Sequence, residues 1–143
     1  MRCLTVRQPW AWLIVNQRKN IENRTRNIAG KYRGPVAIHA ALKADEEALR
    51  RLPRRAPDWV TAPRVFDYGV FLGVVDLVDV HHCFNAETNF EGCSPWAEPD
   101  AWHLVLANPR PIPLRDQFTY RGALGLWTPP TDVADRIRKL VTP

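Results

Sequence analysis

Residues 5–12 read Thr5-Val6-Arg7-Gln8-Pro9-Trp10-Ala11-Trp12, and residues 19–24 read Lys19-Asn20-Ile21-Glu22-Asn23-Arg24. The β-branched start and the Gln-Pro step predict a strand, Cys3 to Val6, that runs into a helix with proline in its first turn. At about 100° per residue, Trp10 and Trp12 lie about 200° apart around that helix. One apolar stripe cannot bury both indoles, so we expect one ring to face a loop or a cleft.

Residues 20–27 are predicted to form a second strand. Side chains alternate along a strand, so Glu22, Arg24 and Arg26 should share one face. Residues 2–33 hold eight Lys or Arg against one acid, whereas the rest of the chain holds 12 basic and 14 acidic residues. The net charge of +5 therefore comes from the N-terminal quarter. This asymmetry favours a polyanionic or phosphate-bearing partner at that end.

The composition indicates a folded protein of ordinary type. A chain of 143 residues, 45% hydrophobic and 24% charged, fits one compact domain and argues against extensive disorder. No apolar run approaches the roughly 20 residues of a membrane span, and the N-terminus lacks a signal-peptide pattern. We expect a cytoplasmic protein with no membrane partner. Three widely spaced cysteines fit free thiols better than a disulfide framework.

The rest of the sequence alternates short elements with proline-rich loops. Gly69 and Gly73 suggest a bulge or sharp curvature in the strongest strand signal. We predict strands at 34–40, 68–80, 101–107 and 122–127, helices at 45–52 and from Thr131, and a long loop at 81–100. Short curved strands with two to four peripheral helices predict an α+β fold built on a small, mostly antiparallel β-barrel. We expect a single domain over residues 1–143, with residues 129–143 as a C-terminal helical extension.

Several motifs occur in a fixed order along the chain. They are Gln8-Pro9-Trp10-Ala11, Lys19-x-x-Glu22-x-Arg24, Val36-Ala37-Ile38-His39, Gly73-Val74-Val75-Asp76-Leu77 and the C-terminal Gly122-Ala123-Leu124-Gly125-Leu126-Trp127. In this order they resemble the ASCH domain family, part of the PUA-like superfamily of small β-barrels. The resemblance covers residues 2 to about 128. It implies a module that binds RNA or reads a modified base.

One branch of small bacterial ASCH proteins implies a different activity. Its members are amidohydrolases acting on an acylated cytidine, and they use a Lys, a Thr three residues later and a Glu on a later strand. Lys19 matches the Lys, Glu22 stands at the Thr position, and Asp76 matches the Glu most closely. The missing threonine argues against hydrolysis, because a carboxylate there would pair with Lys19 and repel an attacking anion. We expect Glu22 to keep Lys19 charged by raising its pKa.

The favoured interpretation is a nucleic-acid-binding cleft that takes RNA or a modified nucleotide, single-stranded rather than duplex. Its aromatic ring would stack on a base, its cations would bind phosphate, and Glu22 would accept a hydrogen bond from an exocyclic amine. The predicted binding residues are Arg7, Gln8, Trp10, Lys19, Glu22, Arg24 and Arg26. A plainer reading makes the charged residues a surface ion-pair cluster worth at most about 1 kcal/mol per pair.

Three other interpretations stay open. Lys19, Glu22 and Asp76 would be the catalytic residues if the protein were an amidohydrolase or a metal-independent ribonuclease. Asp76 could instead cap a turn or pair with an arginine. The basic end could also meet an acidic protein partner.

Zinc-type side chains are present in the second half of the chain. His81, His82, Cys83, Cys93 and His103 offer both good ligand types, but there is no Cys-x-x-Cys and no His pair at helical spacing. We therefore expect no metal and no cofactor. Trp96, between Pro95 and Glu98 in the predicted loop, could flank a pocket.

Overall fold

The computed structural model describes residues 1–55, 65–83 and 93–141. Those residues form six strands, three α-helices and one short 3-10 helix at Leu114–Asp116. In chain order the elements are β1 (Arg2–Val6), α1 (Trp10–Asn16), β2 (Ile21–Arg24), β3 (Gly34–Ala40), α2 (Glu46–Arg55), β4 (Phe71–Cys83), β5 (Ala101–Pro111), β6 (Leu126–Trp127) and α3 (Thr131–Val141). No helix among these is long and apolar enough to cross a membrane.

The six strands make one strongly curled, half-barrel sheet in the order β2-β5-β4-β3-β1-β6. Strands β1 and β3 pair in parallel, and the other neighbouring pairs are antiparallel. The expected α+β class with a mostly antiparallel, barrel-like sheet and peripheral helices is confirmed.

The sheet bends at irregular positions in β4. Its register against β5 shifts between Val74 and Asp76 and again between Leu77 and Asp79. A Cβ atom on Gly73 would lie 2.6 Å from the Arg110 carbonyl oxygen and 2.7 Å from Val15 Cγ1. Any side chain there would collide with β5 and α1, so the curl requires glycine at this position. The predicted curvature of this strand is confirmed.

Alternation along the strands divides the core between the two faces of the sheet. Leu4, Ile38 and Leu77 point into a cluster that α1 completes with Ile14. Neighbouring strand positions point the other way, into a second cluster that α3 closes. Its buried members are Cys3, Ala37, Phe71, Val74, Ile112, Val133 and Ile137. Helices thus cover both faces, and the helix expected from Thr131 is observed as α3, whose Val133 and Ile137 are buried in the second cluster.

Boundaries of the C-terminal strands differ from the sequence prediction. β4 continues through Cys83, so residues 81–83 are strand and not loop, while residues 84–92 of the predicted loop lie outside the described part. β5 extends to Pro111, and the closing strand is only Leu126–Trp127. The extension has a physical reason: β4 and β5 pair with each other over most of their length, and cross-strand pairing stabilises polar segments with weak strand propensity.

Candidate functional site

A cleft of about 740 Å³ opens where the end of β1, the start of α1 and β2 meet two loops. One loop, residues 95–99, forms a wall of the cleft, and residues 123–125 close it on another side. The side chains that matter for its chemistry are Arg7, Trp10, Lys19, Glu22, Asn23, Arg24, Asp45, Trp96 and Glu98.

Three charged residues from the predicted motif line this cleft. Lys19 is 3% exposed and Glu22 7% exposed, although both types are rarely buried. The Lys19 ammonium donates to the Ile21 carbonyl and lies 3.5 Å from Glu22 Oε2. Arg24 Nε lies 3.1 Å from Glu22 Oε1 without an aligned hydrogen bond, and its Nη2 donates to the Thr5 carbonyl at 3.2 Å. One carboxylate therefore lies between two cations, and the arginine is tied to β1.

Burial lowers the pKa of Lys19, and the neighbouring Glu22 opposes this shift through its charge and hydrogen bond. The expectation that Glu22 would hold the Lys19 pKa above its ordinary value is therefore wrong in its net direction. The reason is desolvation, which disfavours the ammonium and outweighs the attraction of Glu22 and the weaker attraction of Glu98. Sequence spacing reveals the pairing with Glu22, whereas the degree of burial depends on the surrounding chain.

The two indoles of the first helix separate as predicted. Trp10 lines the cleft, with Lys19 Nζ 5.4 Å from its ring centroid. Its indole Nε1 donates to Asp45 Oδ2 at 3.0 Å, which fixes the ring plane. Burial raises the pKa of Asp45, but hydrogen bonds from the Ala48 amide and from Trp10 together hold it below its usual value. Trp12 lies outside the cleft lining and packs edge-on against Phe66 at 6.2 Å.

The 95–99 wall carries a second indole, Trp96, which lines the cleft as the sequence suggested. Asn23 holds this wall to β2, because its Nδ2 donates to the Trp96 carbonyl and its Oδ1 accepts from the Glu98 amide, both at 2.9 Å. Ser94 adds a hydrogen bond to Asn20 Oδ1 at 2.6 Å. Asn23 lies between Glu22 and Arg24 in sequence, but nothing in that spacing indicated its role as a loop anchor.

Two of the predicted binding residues lie elsewhere. Gln8 is fully buried and absent from the cleft lining. Its Nε2 donates to the Asp67 carbonyl and its Oε1 accepts from the Trp12 amide, both at 2.9 Å, so it fixes the turn into α1. Arg26 is exposed beyond the end of β2 and also outside the lining. Arg7 is exposed and does line the cleft.

Asp76 is separate from Lys19 and Glu22. It does not line the cleft, and its carboxylate accepts from Arg110 Nη2 at 2.7 Å and from Asn108 Nδ2 at 3.0 Å. The hydrogen bond from Arg110 lowers the pKa of Asp76 below its usual range. This is the arginine pairing that the sequence left open. The cleft carboxylates are instead Glu22, Asp45 and Glu98.

A different group of side chains could hold a metal. His81, Cys93 and His103 converge outside the cleft lining, and Cys93 begins the described segment that continues into the 95–99 wall. Cys83, also considered from the sequence, has a side chain outside the described part.

Comparison with known proteins agrees with the fold and the motifs. No curated protein matches the chain. The family model of the ASCH domain matches residues 4–113, which covers most of the sheet, both cleft tryptophans (Trp10 and Trp96) and the Lys19–Glu22–Arg24 motif. The ASCH domain has a PUA-like fold of the RNA-binding type. The chain therefore belongs to the ASCH domain family.

Proposed function

We propose that this protein binds RNA or a modified nucleotide in the cleft. The observation that carries this proposal is a pair of half-buried indoles, Trp10 and Trp96, that line the same cleft as the Lys19–Glu22–Arg24 cluster. A π-face beside fixed cations is the combination that unstacked bases and their phosphates require. The ASCH family points to nucleic-acid interaction in general, and the basic N-terminal quarter supplies the charge for it.

Each polar group has a role in this proposal. A base stacks on an indole, and Glu22 accepts a hydrogen bond from an exocyclic amine of that base. Each carboxylate oxygen has two lone pairs, so it can accept this hydrogen bond in addition to its contact with Lys19 or Arg24. Arg7, exposed at the rim, contacts phosphate. A base must leave its stack to enter such a cleft, so single-stranded RNA is the favoured partner over duplex.

A second candidate is hydrolysis of an N-acylated cytidine, or RNA cleavage without a metal. The observation that favours it is the lowered pKa of Lys19, because a neutral amine could act as a base or nucleophile. We prefer a binding role for the cleft over a catalytic one. The Lys19 ammonium already donates to Ile21 and Glu22, and Asp76 is outside the cleft lining.

Fluorescence anisotropy with a labelled single-stranded RNA tests the binding proposal. Affinity should fall as salt rises, and Arg7→Ala should reduce the slope of log K against log salt by about one contact. Arg26→Ala is the matched control, because it removes the same charge from an exposed site outside the cleft lining. Equal slopes for the two variants would place binding outside the cleft. Absent binding to any oligonucleotide would leave a small nucleoside or an acidic protein partner as the surviving interpretations.

Turnover of N4-acetylcytidine, followed by chromatography, separates a binder from an enzyme. We expect no turnover, and we expect Lys19→Met to weaken nucleotide binding. Hydrolysis by the wild-type protein that Lys19→Met abolishes, with the domain still folded by circular dichroism, would establish the enzyme instead.

A further inference from the structure

We propose that His81, Cys93 and His103 form a zinc site. Their ligand atoms form a small triangle: His81 Nε2 lies 3.1 Å from Cys93 Sγ and 3.2 Å from His103 Nδ1, and the third side, Cys93 Sγ to His103 Nδ1, is 3.7 Å. Tetrahedral zinc binds nitrogen at about 2.0 Å and sulfur at about 2.3 Å, which sets edges of about 3.3 Å and 3.5 Å. The triangle matches those edges before any ion is placed.

The backbone fixes two corners of the triangle. His81 on β4 and His103 on β5 are direct cross-strand partners in the antiparallel ladder. Cys93 joins them from the segment that leads into β5. Ligands that come from two paired strands are far apart in sequence. The site therefore contains neither a Cys-x-x-Cys motif nor a His pair at helical spacing, and the sequence did not predict a metal.

The second ring nitrogen of each histidine orients the first toward the centre of the triangle. His103 Nε2 lies 2.6 Å from the Glu98 carbonyl oxygen, which only accepts, so Nε2 carries the proton and Nδ1 presents a lone pair. His81 Nδ1 lies 3.3 Å from Asp79 Oδ2, and in the tautomer in which Nδ1 donates to this carboxylate, Nε2 presents a lone pair. Backbone carbonyls and carboxylates are the partners that hold metal-binding histidines in this tautomer.

The donor set identifies the class of ion. Two imidazoles and one thiol favour zinc over calcium or magnesium, which prefer oxygen ligands. On binding, the Cys93 thiol gives its proton to solvent and the thiolate forms the Zn–S bond. The zinc ion with one thiolate and two neutral imidazoles then carries a net charge of +1. The fourth tetrahedral position goes to water or another side chain. His103 is fully buried while His81 is about one-third exposed, which leaves a path for the ion.

The position of the site gives the ion a structural role. Cys93 stands at one end of the 93–99 segment, and Glu98, held by His103, stands near the other. Between them Trp96 forms the wall of the cleft. A zinc ion would tie this wall to the paired strands β4 and β5 and thereby hold the cleft in shape.

Cobalt titration of the whole, reduced, chelator-treated protein tests the site. We expect a single equivalent of Co²⁺ to give the visible bands of tetrahedral cobalt with a thiolate charge-transfer band, and Zn²⁺ to displace it. Cys93→Ser should lose the charge-transfer band, and Asp79→Asn should weaken zinc affinity by about tenfold through the histidine it orients. His82→Asn, which changes the neighbouring histidine outside the triangle, is the matched control and should bind normally.

Stability provides a second readout. Zinc should raise the unfolding temperature of the wild type and of His82→Asn, and it should leave Cys93→Ser unchanged. Cys93 is partly exposed, so this variant should fold even if a variant of buried His103 does not. No cobalt binding, an octahedral spectrum, or a charge-transfer band that survives in folded Cys93→Ser would each overturn the site.

Discussion

Glu22 in the cleft and Asp76 on β4 are both carboxylates paired with arginine, yet their surroundings differ. The Glu22 side chain is 10% exposed and lies between Lys19 and Arg24, whereas the Asp76 side chain is 28% exposed and pairs with Arg110, itself 35% exposed. Water screens both members of the second pair, whereas in the cleft it is excluded from Lys19 and Glu22 and reaches only Arg24, which is 28% exposed. Sequence inspection treated the two acids as members of one catalytic set, and their burial separates them.

Burial also changes what each pair does. A half-exposed pair contributes at most about 1 kcal/mol, whereas removing one member of a buried pair leaves an uncompensated charge that costs several kcal/mol. Groups whose pKa is perturbed by burial together with a charge partner, as that of Lys19 is, cluster at functional sites. The cleft cluster is therefore the functional candidate, and the Asp76–Arg110 pair is a structural contact.

The largest effect should follow Glu22→Gln, which leaves buried Lys19 and partly exposed Arg24 without their carboxylate. We expect a loss of about 3 kcal/mol in the free energy of unfolding at neutral pH, limited because Lys19 can release its proton. Urea denaturation measures it. Glu47→Gln, which breaks an exposed pair with Arg51, should change stability by less than about 0.5 kcal/mol. Similar losses in the two variants would contradict the distinction between buried and exposed pairs.

Trp96→Ala should have the next largest effect, on binding and not on stability. Base–aromatic stacking contributes about 1–3 kcal/mol per base, so RNA affinity should fall by about 5- to 160-fold. Trp96→Phe keeps a π-face and should retain most of the affinity. Trp12→Phe changes an indole outside the cleft lining and serves as the control. Unaltered binding by Trp96→Ala in anisotropy titrations would remove this wall from the ligand site.

Lys19 should make the free energy of unfolding depend on pH in the alkaline range. Because burial lowers the pKa of Lys19, the unfolded chain binds more protons than the native protein between the lowered value and the ordinary lysine value. Stability should therefore rise with pH across that window, relative to Lys19→Met measured in the same buffers. Urea unfolding at a series of pH values gives the difference. A difference that falls with pH would mean that pairing with Glu22 outweighs burial.

The smallest effect should follow Asp76→Asn, with a loss below about 1 kcal/mol at neutral pH. The hydrogen bond from Arg110 lowers the pKa of Asp76, so its contribution is present above the ordinary aspartate value and is lost as pH falls through the lowered one. Unfolding curves measured at a series of acidic pH values should show the stabilities of the wild type and the variant converging as pH falls. A loss as large as that of Glu22→Gln would end the contrast between the two acids.

The local sequence pattern alone was enough to predict many of the secondary-structure elements. Period-two and period-3.6 signals found β1, β3, α1 and α3, and the alternation along β2 placed Glu22 and Arg24 on one face, where they do pair. The separation of Trp10 from Trp12 also followed from helix geometry. These features depend on neighbours within a few residues, which is the range that a sequence pattern encodes.

Tertiary structure decided the rest, because it depends on contacts between distant segments. Asn23 meets the Trp96 wall across more than 70 positions, and His81 meets His103 only through the β4–β5 register. The direction of the Lys19 pKa shift likewise follows from how deeply the folded domain buries its side chain. Sequence spacing identifies which side chains can pair locally, but only the assembled sheet shows which of them are removed from water.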